Sequence, residues 1–141
     1  MAAGAYRFRR VDPKTDRKTL ERLHKATLPH DEFPPWDESV WWVGVSDKGR
    51  PVAFCGVCIQ GKLAYLIRAG VMRPHRGRRL QRRMVRLRER YVRTQGCTWV
   101  YTTTFCNPRS ANTLIGCSYR QYWPADPWGE TGTDYWYRKF E

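Results

Sequence analysis

The stretch that decides the fold runs from Leu63 to Phe105, LAYLIRAGVMRPHRGRRLQRRMVRLRERYVRTQGCTWVYTTTF. Residues 63–72 are an apolar, strand-like run, and a basic, glycine-containing loop follows them. Apolar side chains then recur every three to four residues from Leu80 to Tyr91, which predicts a helix. β-branched and aromatic residues over 98–105 predict another strand. The stretch therefore predicts a strand, a loop, a helix and a strand in succession.

The residues on either side of this stretch add five strands and two helices. The patterns predict strands over 6–11, 40–46, 52–60, 119–123 and 134–140, and helices over 15–28 and 107–117. Short turns join three consecutive strands into an antiparallel meander. We expect a single domain over residues 1–141 with an α/β (α+β) fold. Its mixed, mostly antiparallel central sheet has about seven strands and helices on both faces.

Charge is the unusual feature of the composition. The 26 Lys and Arg residues outnumber the 13 Asp and Glu residues, and the net charge is +13. Residues 68–93 hold eleven arginines against the single acid Glu89, so most of the excess is local. Such a run predicts a polyanion or a phosphorylated ligand as partner. The 14% aromatic content argues against disorder, and no apolar run approaches the ~20 residues that a membrane span needs.

The five cysteines predict reduced thiols rather than disulfides. The N-terminal residues lack the apolar segment of a secretory signal, so we expect a cytoplasmic protein. Cys55 and Cys58 lie in a predicted strand, where residues three apart point to opposite faces of the sheet. The three histidines have no ligand spacing, so we expect no metal site.

The junction between Met72 and Leu80 is the candidate ligand site. A helix N-terminus presents unpaired N–H groups and the positive end of the helix dipole. Arginines in the preceding loop add charge-assisted hydrogen bonds to a phosphate. This combination favours a cofactor that carries a pyrophosphate. A solvated charged face is the alternative, and the pattern alone leaves both open.

Two motifs resemble those of the GNAT N-acetyltransferases. Residues 71–81, VMRPHRGRRLQ, are similar to that family's acetyl-coenzyme A loop, Arg/Gln-x-x-Gly-x-Gly/Ala after a strand, with Arg76 in the first place. Residues 107–119 resemble the family's second block, which here contains Asn107 and Ser110. The resemblance covers essentially the whole chain. It implies an N-acetyltransferase that moves an acetyl group directly from acetyl-CoA to a primary amine.

The resemblance also implies roles for individual residues. The implied cofactor-binding residues are Gly70, Val71, Met72, Arg76, Gly77, Arg78, Arg79, Leu80, Gln81 and Ser110. Backbone N–H groups near 70–72 would polarise the thioester carbonyl. Tyr65 and Asn107 occupy the implied catalytic positions. Asp31, Glu32 and Trp36 would line the acceptor rim, although turn chemistry and core packing are the alternatives for them.

This sequence departs from the family pattern in ways that bear on the chemistry. Arg79 and Gln81 occupy positions where the family has glycine. We expect a negative φ at Arg79, with its guanidinium on the cofactor. Leu114 stands where many members have the tyrosine that protonates the leaving thiolate. Tyr65 stands where many have a glutamate base, and a neutral phenol is a poor base near pH 7. We therefore expect the amine proton to pass through water to a carboxylate of the loop 29–39.

Two other functions stay open at this point. The arginine-rich helix would also suit a nucleic acid or an acidic protein, with or without transferase activity. The departures at Tyr65 and Leu114 would also suit a module that senses CoA without catalysis. The acceptor itself, a small-molecule or peptide amine, is not determined by these motifs. We expect a monomer or a homodimer.

Overall fold

A computed structural model describes residues 5–140, which contain seven strands and three α-helices in the predicted order. The strands are β1 (Arg7–Val11), β2 (Val40–Val45), β3 (Pro51–Gln60), β4 (Leu63–Val71), β5 (Trp99–Phe105), β6 (Arg120–Tyr122) and β7 (Thr133–Lys139). The helices are α1 (Arg17–Thr27), α2 (Leu80–Thr94) and α3 (Pro108–Gly116), with short 3-10 turns at Trp36–Glu38 and Arg73–His75. Within the described part of the chain, no helix has the length and apolarity that crossing a lipid bilayer requires.

The seven strands form one mixed sheet in the order β1-β2-β3-β4-β5-β7-β6. Every neighbouring pair is antiparallel except β4 and β5, which are parallel. A parallel pair needs a crossover connection, and the loop and α2 provide it. The predicted fold class and the mostly antiparallel sheet are confirmed.

Strands β4 and β5 pair over only three residues and then separate. Their register runs from Leu63 opposite Trp99 to Tyr65 opposite Tyr101. Beyond this point the hydroxyl of Thr102 donates a hydrogen bond to the carbonyl of Leu66 at 2.9 Å. The separation leaves a cleft in the middle of the sheet, with a free backbone edge on β4.

A β-bulge in β4 lies beside this cleft. Cys55 of β3 pairs with Ala69, whereas the next residue, Gly56, pairs with Ile67. Arg68 is therefore the extra residue, and its φ of 42° is in the left-handed region. A bulge bends its strand and increases the local twist, which moves β4 away from β5.

The two faces of the sheet are covered by different helices. Along β2, the buried side chains of Trp41 and Val43 lie in the core beneath α1, while Trp42 between them lies in the core beneath α2 and α3. This alternation follows from the two-residue period of a strand. Helices on both faces are thereby confirmed.

Gly70 lets α1 approach the sheet closely. A Cβ built on Gly70 would overlap the Oγ1 atom of Thr27, near the C-terminal end of α1, and would lie 2.9 Å from the Phe54 ring. No larger side chain fits without moving the helix. Packing against α1 therefore explains this glycine, independently of any ligand.

Candidate active site

A groove of about 730 Å³ lies between the loop after β4, the first turn of α2 and α3. Its lining includes most of the residues expected to bind the cofactor: Val71, Arg76, Gly77, Arg79, Leu80 and Gln81. The sequence did not single out the other lining residues, which are His75, Arg82, Arg109, Asn112, Thr113 and Gly116. Four arginines line the groove and make it strongly cationic: Arg76, Arg79, Arg82 and Arg109.

Backbone amides without a backbone acceptor lie at the start of α2. The helical hydrogen bonds begin with the N–H of Arg83, which donates to the carbonyl of Arg79 at 3.1 Å. Within residues 5–140, the N–H groups of 77–82 are not used by any backbone acceptor outside the helix ladder. Such a row of donors at the positive end of a helix dipole suits a phosphate or diphosphate.

Arg79 differs from the sequence expectation in its backbone. Its φ of 60° and ψ of 23° are left-handed, so the expected negative φ is wrong. The loop turns there into the first residue of α2, a geometry that glycine adopts without strain. The side chain is exposed and lines the groove, so its guanidinium remains available to an anion.

The loop is anchored to the beginning of β1 through the buried ring of Tyr6. The Tyr6 hydroxyl is 2.8 Å from Nδ1 of His75, and Nη1 of Arg78 donates to the same hydroxyl at 2.8 Å. Arg76 donates from Nε to the carbonyl of Val71 at 3.0 Å. Arg78 therefore points towards Tyr6 and not into the groove. The Arg78 side chain thus positions the loop, and binding of the cofactor by Arg78 stays a prediction that concerns its backbone N–H.

A second cavity of about 390 Å³ adjoins the groove and lies in the cleft between β4 and β5. Gln81 and Thr113 line both spaces. Tyr65, Asn107 and Ser110, which the sequence predicted as catalytic or cofactor-binding, all line the cleft. The structure thus brings the two sequence motifs to two adjoining cavities.

The positions of Tyr65 and Asn107 define what each can do. The Tyr65 hydroxyl is 3.3 Å from that of Thr103, and its ring packs on Tyr101 with centroids 4.9 Å apart. The Oδ1 atom of Asn107 accepts the N–H of Ser110 at 3.1 Å and caps α3. Asn107 is therefore the N-cap of α3, and it also lines the cleft.

The free edge of β4 carries fewer available amides than expected. The N–H of Met72 donates to the carbonyl of Val52 at 2.8 Å, so it is already used within the sheet. The carbonyl of Val71 instead faces Arg76. Because alternate residues of an antiparallel strand face the same neighbour, Val71 and Ala69 present their peptide edges to the cleft. These two residues, rather than Met72, are the candidates to polarise a carbonyl.

The acceptor rim contains one of the three predicted residues. Asp31 lines the cleft, whereas Glu32 does not, and the Glu32 carbonyl accepts Nη2 of Arg68 at 3.1 Å. Trp36 is only 4% exposed and packs against Trp41 in the core beneath α1. The expectation that Trp36 binds the acceptor is therefore wrong, and the core-packing alternative is right.

His24 and the bulge residue Arg68 hold the rim loop against the sheet. Nε of Arg68 donates to Nε2 of His24 at 3.3 Å, so that ring nitrogen carries no proton. Burial, and then the charge of Arg68, lower the pKa of His24, while Asp31 opposes them. The imidazole is therefore neutral at physiological pH.

The buried Arg88 also lines the cleft, although the sequence motifs do not include it. A signal was present, because position 88 continues the helical face of Leu80 and Met84 that points at the sheet. Residue type does not distinguish Arg88 from the other ten arginines of residues 68–93.

Comparison with known proteins agrees with this geometry. The sequence model of the Acetyltransferase (GNAT) family matches residues 11–115. The chain belongs to the GNAT acetyltransferase family. No curated protein sequence matches it at a significant level.

Solved GNAT structures share the fold at low sequence identity. An IAA acetyltransferase from Bacillus cereus superimposes with a TM-score of 0.76 at 10% identity, covering 96% of this chain and 99% of that one. A GNAT-family acetyltransferase from Staphylococcus aureus gives 0.72 at 11%, covering 97% and 100%. A spermidine N-acetyltransferase from Vibrio cholerae, solved with CoA and spermine, gives 0.73 at 11%, covering 96% of each chain. These likenesses extend the family fold over nearly the whole GNAT chain described here.

Proposed function

We propose that this GNAT protein is an acetyl-CoA-dependent N-acetyltransferase that acts on a primary amine by direct transfer. One observation carries the proposal. The cationic groove at the start of α2 adjoins the cleft beside the free edge of β4, and Gln81 and Thr113 line both. A cofactor with a diphosphate at one end and a thioester at the other matches this succession.

The groove residues fit the phosphates of CoA. The unpaired amides from Gly77 to Arg82 suit the diphosphate, since backbone donors at a helix start need no side chain. Arg79, Arg82 and Arg109 add charge that falls within the same groove. The fit therefore rests on donor chemistry present in the chain and not on the family alone.

The cleft residues fit the reacting end. When bound there, acetyl-CoA would supply an activated acyl group. The peptide edges of Ala69 and Val71 would orient its carbonyl and stabilise developing negative charge on oxygen. Asn107 and Ser110 would line the pantetheine arm from the other wall. Tyr65 and Thr103 mark the end of the cleft where β4 and β5 come together.

Asp31 is the carboxylate placed to receive the proton of the attacking amine. It is the one acidic residue among the described lining of the groove and the cleft. Asp37 is engaged instead by Arg17 at 2.9 Å, away from the cleft. The amine proton would pass to Asp31 directly or through one water. Asp31 would also attract a cationic acceptor into a protein of net charge +13.

The nucleic-acid alternative loses support because many arginines have partners within the protein. Arg83 lies over the Phe8 ring and donates to the Tyr6 carbonyl, and Arg93 lies over the Phe140 ring. Arg86 pairs with Glu89. These contacts account for much of the charge on α2 without any polyanion.

Acetyl transfer to a panel of amines tests the proposal. The purified protein is incubated with acetyl-CoA and a polyamine, an arylalkylamine, an amino sugar, a peptide α-amine or a lysine peptide. Released thiol and the acetylated product are measured by absorbance and mass spectrometry. We expect turnover of at least one amine class. Binding of CoA without turnover of any amine would favour the sensing module.

A matched pair of variants tests the role of Asp31. Asp31→Asn removes the base and lowers kcat/KM by about 10²-fold, the lower end of a general-base contribution. Glu32→Gln removes the neighbouring carboxylate, which does not line the cleft, and leaves kcat/KM within about twofold, because surface charges contribute little. Equal losses in the two variants would contradict the assignment of Asp31.

A further inference from the structure

The cleft contains a buried cation that the proposed mechanism has not used. Arg88 of α2 is 3% exposed and lines the cleft together with Leu66 and Leu114. An arginine is rarely buried without a charged partner, because removing its charge from water is costly. The position of Arg88 therefore needs an explanation.

Neutral carbonyls hold the Arg88 side chain in place. Its Nε donates to the carbonyl of Met84 at 3.0 Å, and its Nη1 donates to that of Gly56 at 3.1 Å. Gly56 lies where the bulge in β4 shifts the register of β3. These bonds orient the guanidinium rigidly but leave its positive charge uncompensated.

The nearest buried acid does not supply the missing charge. Both carboxylate oxygens of Glu89 are taken, one by Arg86 at 3.0 Å and the other by Arg138 at 2.8 Å. That group of three side chains is already net positive. With Arg88 these four side chains carry two positive charges in excess, and Arg86 and Arg138 are partly exposed.

The other titratable groups around Arg88 are neutral or lie at the mouth of the cleft. Burial raises the pKa of the Cys55 thiol of β3 to about 11. Burial also raises the pKa of Tyr119, which follows α3. At the mouth, Arg68 and Asp31 have opposite charges. An anion that enters the cleft would therefore meet a net positive field from Arg88.

We propose that the guanidinium of Arg88 stabilises the sulfur of CoA as a thiolate when the acyl group leaves it. This inference rests on the proposed acetyltransferase function. Leu114, on the wall of the cleft with Arg88, has no hydroxyl to protonate the sulfur. The hydroxyls of Thr102 and Thr113 in the same lining already donate to the carbonyls of Leu66 and Arg109. A fixed cation would stabilise the departing sulfur electrostatically, as a thiolate, instead of by protonation.

The step balances without proton donation by Arg88. The amine nitrogen forms a bond to the carbonyl carbon, and the carbon–sulfur bond breaks with its electron pair on sulfur. The amine proton goes to Asp31 or water. The thiolate pairs with the guanidinium and takes a proton from solvent after CoA leaves. Arginine is suited to this task because it stays charged at any physiological pH.

Titration of the thiol of bound CoA tests this role directly. The ultraviolet absorbance of the thiolate is followed against pH for free CoA and for CoA saturating the protein. We expect binding to increase the thiolate fraction near neutral pH about tenfold or more, as a nearby opposite charge does for other acids. Calorimetry on the same samples establishes that CoA is bound.

Three variants separate the charge of Arg88 from its packing. Arg88→Met removes the charge with similar side-chain length and should abolish the increase in thiolate fraction. Arg88→Lys keeps a charge and should retain part of it. Arg90→Met removes an exposed charge on the same helix and should leave the titration unchanged.

The outcomes distinguish this inference from the proposed function. CoA that binds with the thiol pKa of free CoA contradicts the role of Arg88 alone, and this comparison needs no variant. An unchanged thiolate fraction in Arg88→Met, or an equal loss in Arg90→Met, also contradicts it. Absence of CoA binding contradicts the proposed function itself and this inference with it.

Discussion

Replacing Arg79 by glycine should have opposite effects on stability and on cofactor binding, because its backbone is strained while its side chain lines the groove. Its left-handed φ of 60° costs a non-glycine residue about 1–2 kcal/mol. Arg79→Gly removes this strain but adds about 0.5–1 kcal/mol of unfolded-chain entropy. We therefore expect the variant to be as stable as the parent protein or more stable, by up to about 1.5 kcal/mol in urea unfolding.

The same substitution should weaken cofactor binding. A hydrogen bond from a charged donor contributes about 1.5–3 kcal/mol. Loss of the Arg79 guanidinium from the groove should therefore raise the Kd for acetyl-CoA by about ten- to a hundredfold. Isothermal calorimetry measures this change. High salt should reduce the difference in Kd between the parent protein and Arg79→Gly, since salt screens contacts between arginine and phosphate.

Two control variants isolate the cause. Arg79→Asn keeps a residue that tolerates the left-handed region while removing the charge, so it should bind as weakly as the glycine variant. Arg90→Gln removes an equal charge outside the groove and should change Kd by less than about twofold. An Arg79→Gly protein that binds acetyl-CoA more tightly would refute the assignment of Arg79 as a ligand.

Three further substitutions test the scaffold. Gly70→Ala forces a Cβ against Thr27 and should lower the free energy of unfolding by about 2 kcal/mol or more. The control Gly61→Ala has open space around the new Cβ at a φ of 62° and should lower it by only about 1 kcal/mol. Equal losses in the two variants would contradict the overlap at Gly70. Asn107→Ala should lower the free energy of unfolding by about 1 kcal/mol through loss of the α3 cap, and Asn107→Ser should retain most of the parent stability. An alanine variant as stable as the parent protein would contradict the cap. Because the pKa of His24 is lowered in the fold, the unfolded chain binds the proton first, so stability should fall as pH drops below about 6.5. Urea unfolding of His24→Gln should show a weaker decline over that range, and an unchanged decline would contradict the neutral imidazole.

Local patterns predicted the fold of this chain well. The strand over residues 63–72 and the helix from Leu80 appear in the structure within about two residues of the expected bounds. The strand is a nearly continuous apolar run, whereas apolar residues recur every three to four positions in the helix, and turn residues separate the two. The change of period within one stretch therefore sufficed to predict the crossover.

The shape of the cleft was beyond sequence reasoning. Nothing in the run LAYLIRAGVM marks Arg68 as an extra residue, because a bulge depends on the partner strand. The divergence of β4 and β5 after Tyr65 likewise depends on tertiary packing. The free edge that would hold the acyl group was therefore inferable only from the family resemblance.

The site residues divide according to how local their roles are. Gly77 and Leu80 lie where the loop motif placed them, since a strand, a loop and a helix fix that position. The side-chain positions of Trp36 and Arg78 were not predictable in this way, because they contact residues on other elements, Trp41 and Tyr6. Long-range contacts of this kind leave no periodic trace in a sequence.

Thermal unfolding in the presence of acetyl-CoA tests the central claim most directly. A ligand at 100 times its Kd stabilises the folded state by about 2.7 kcal/mol. For a chain of this size, that corresponds to a rise in Tm of about 10 °C. We expect this rise with a low micromolar Kd for acetyl-CoA, and little effect of duplex RNA on Tm. An unchanged Tm with acetyl-CoA, together with a rise with RNA that disappears steeply with salt, would contradict it.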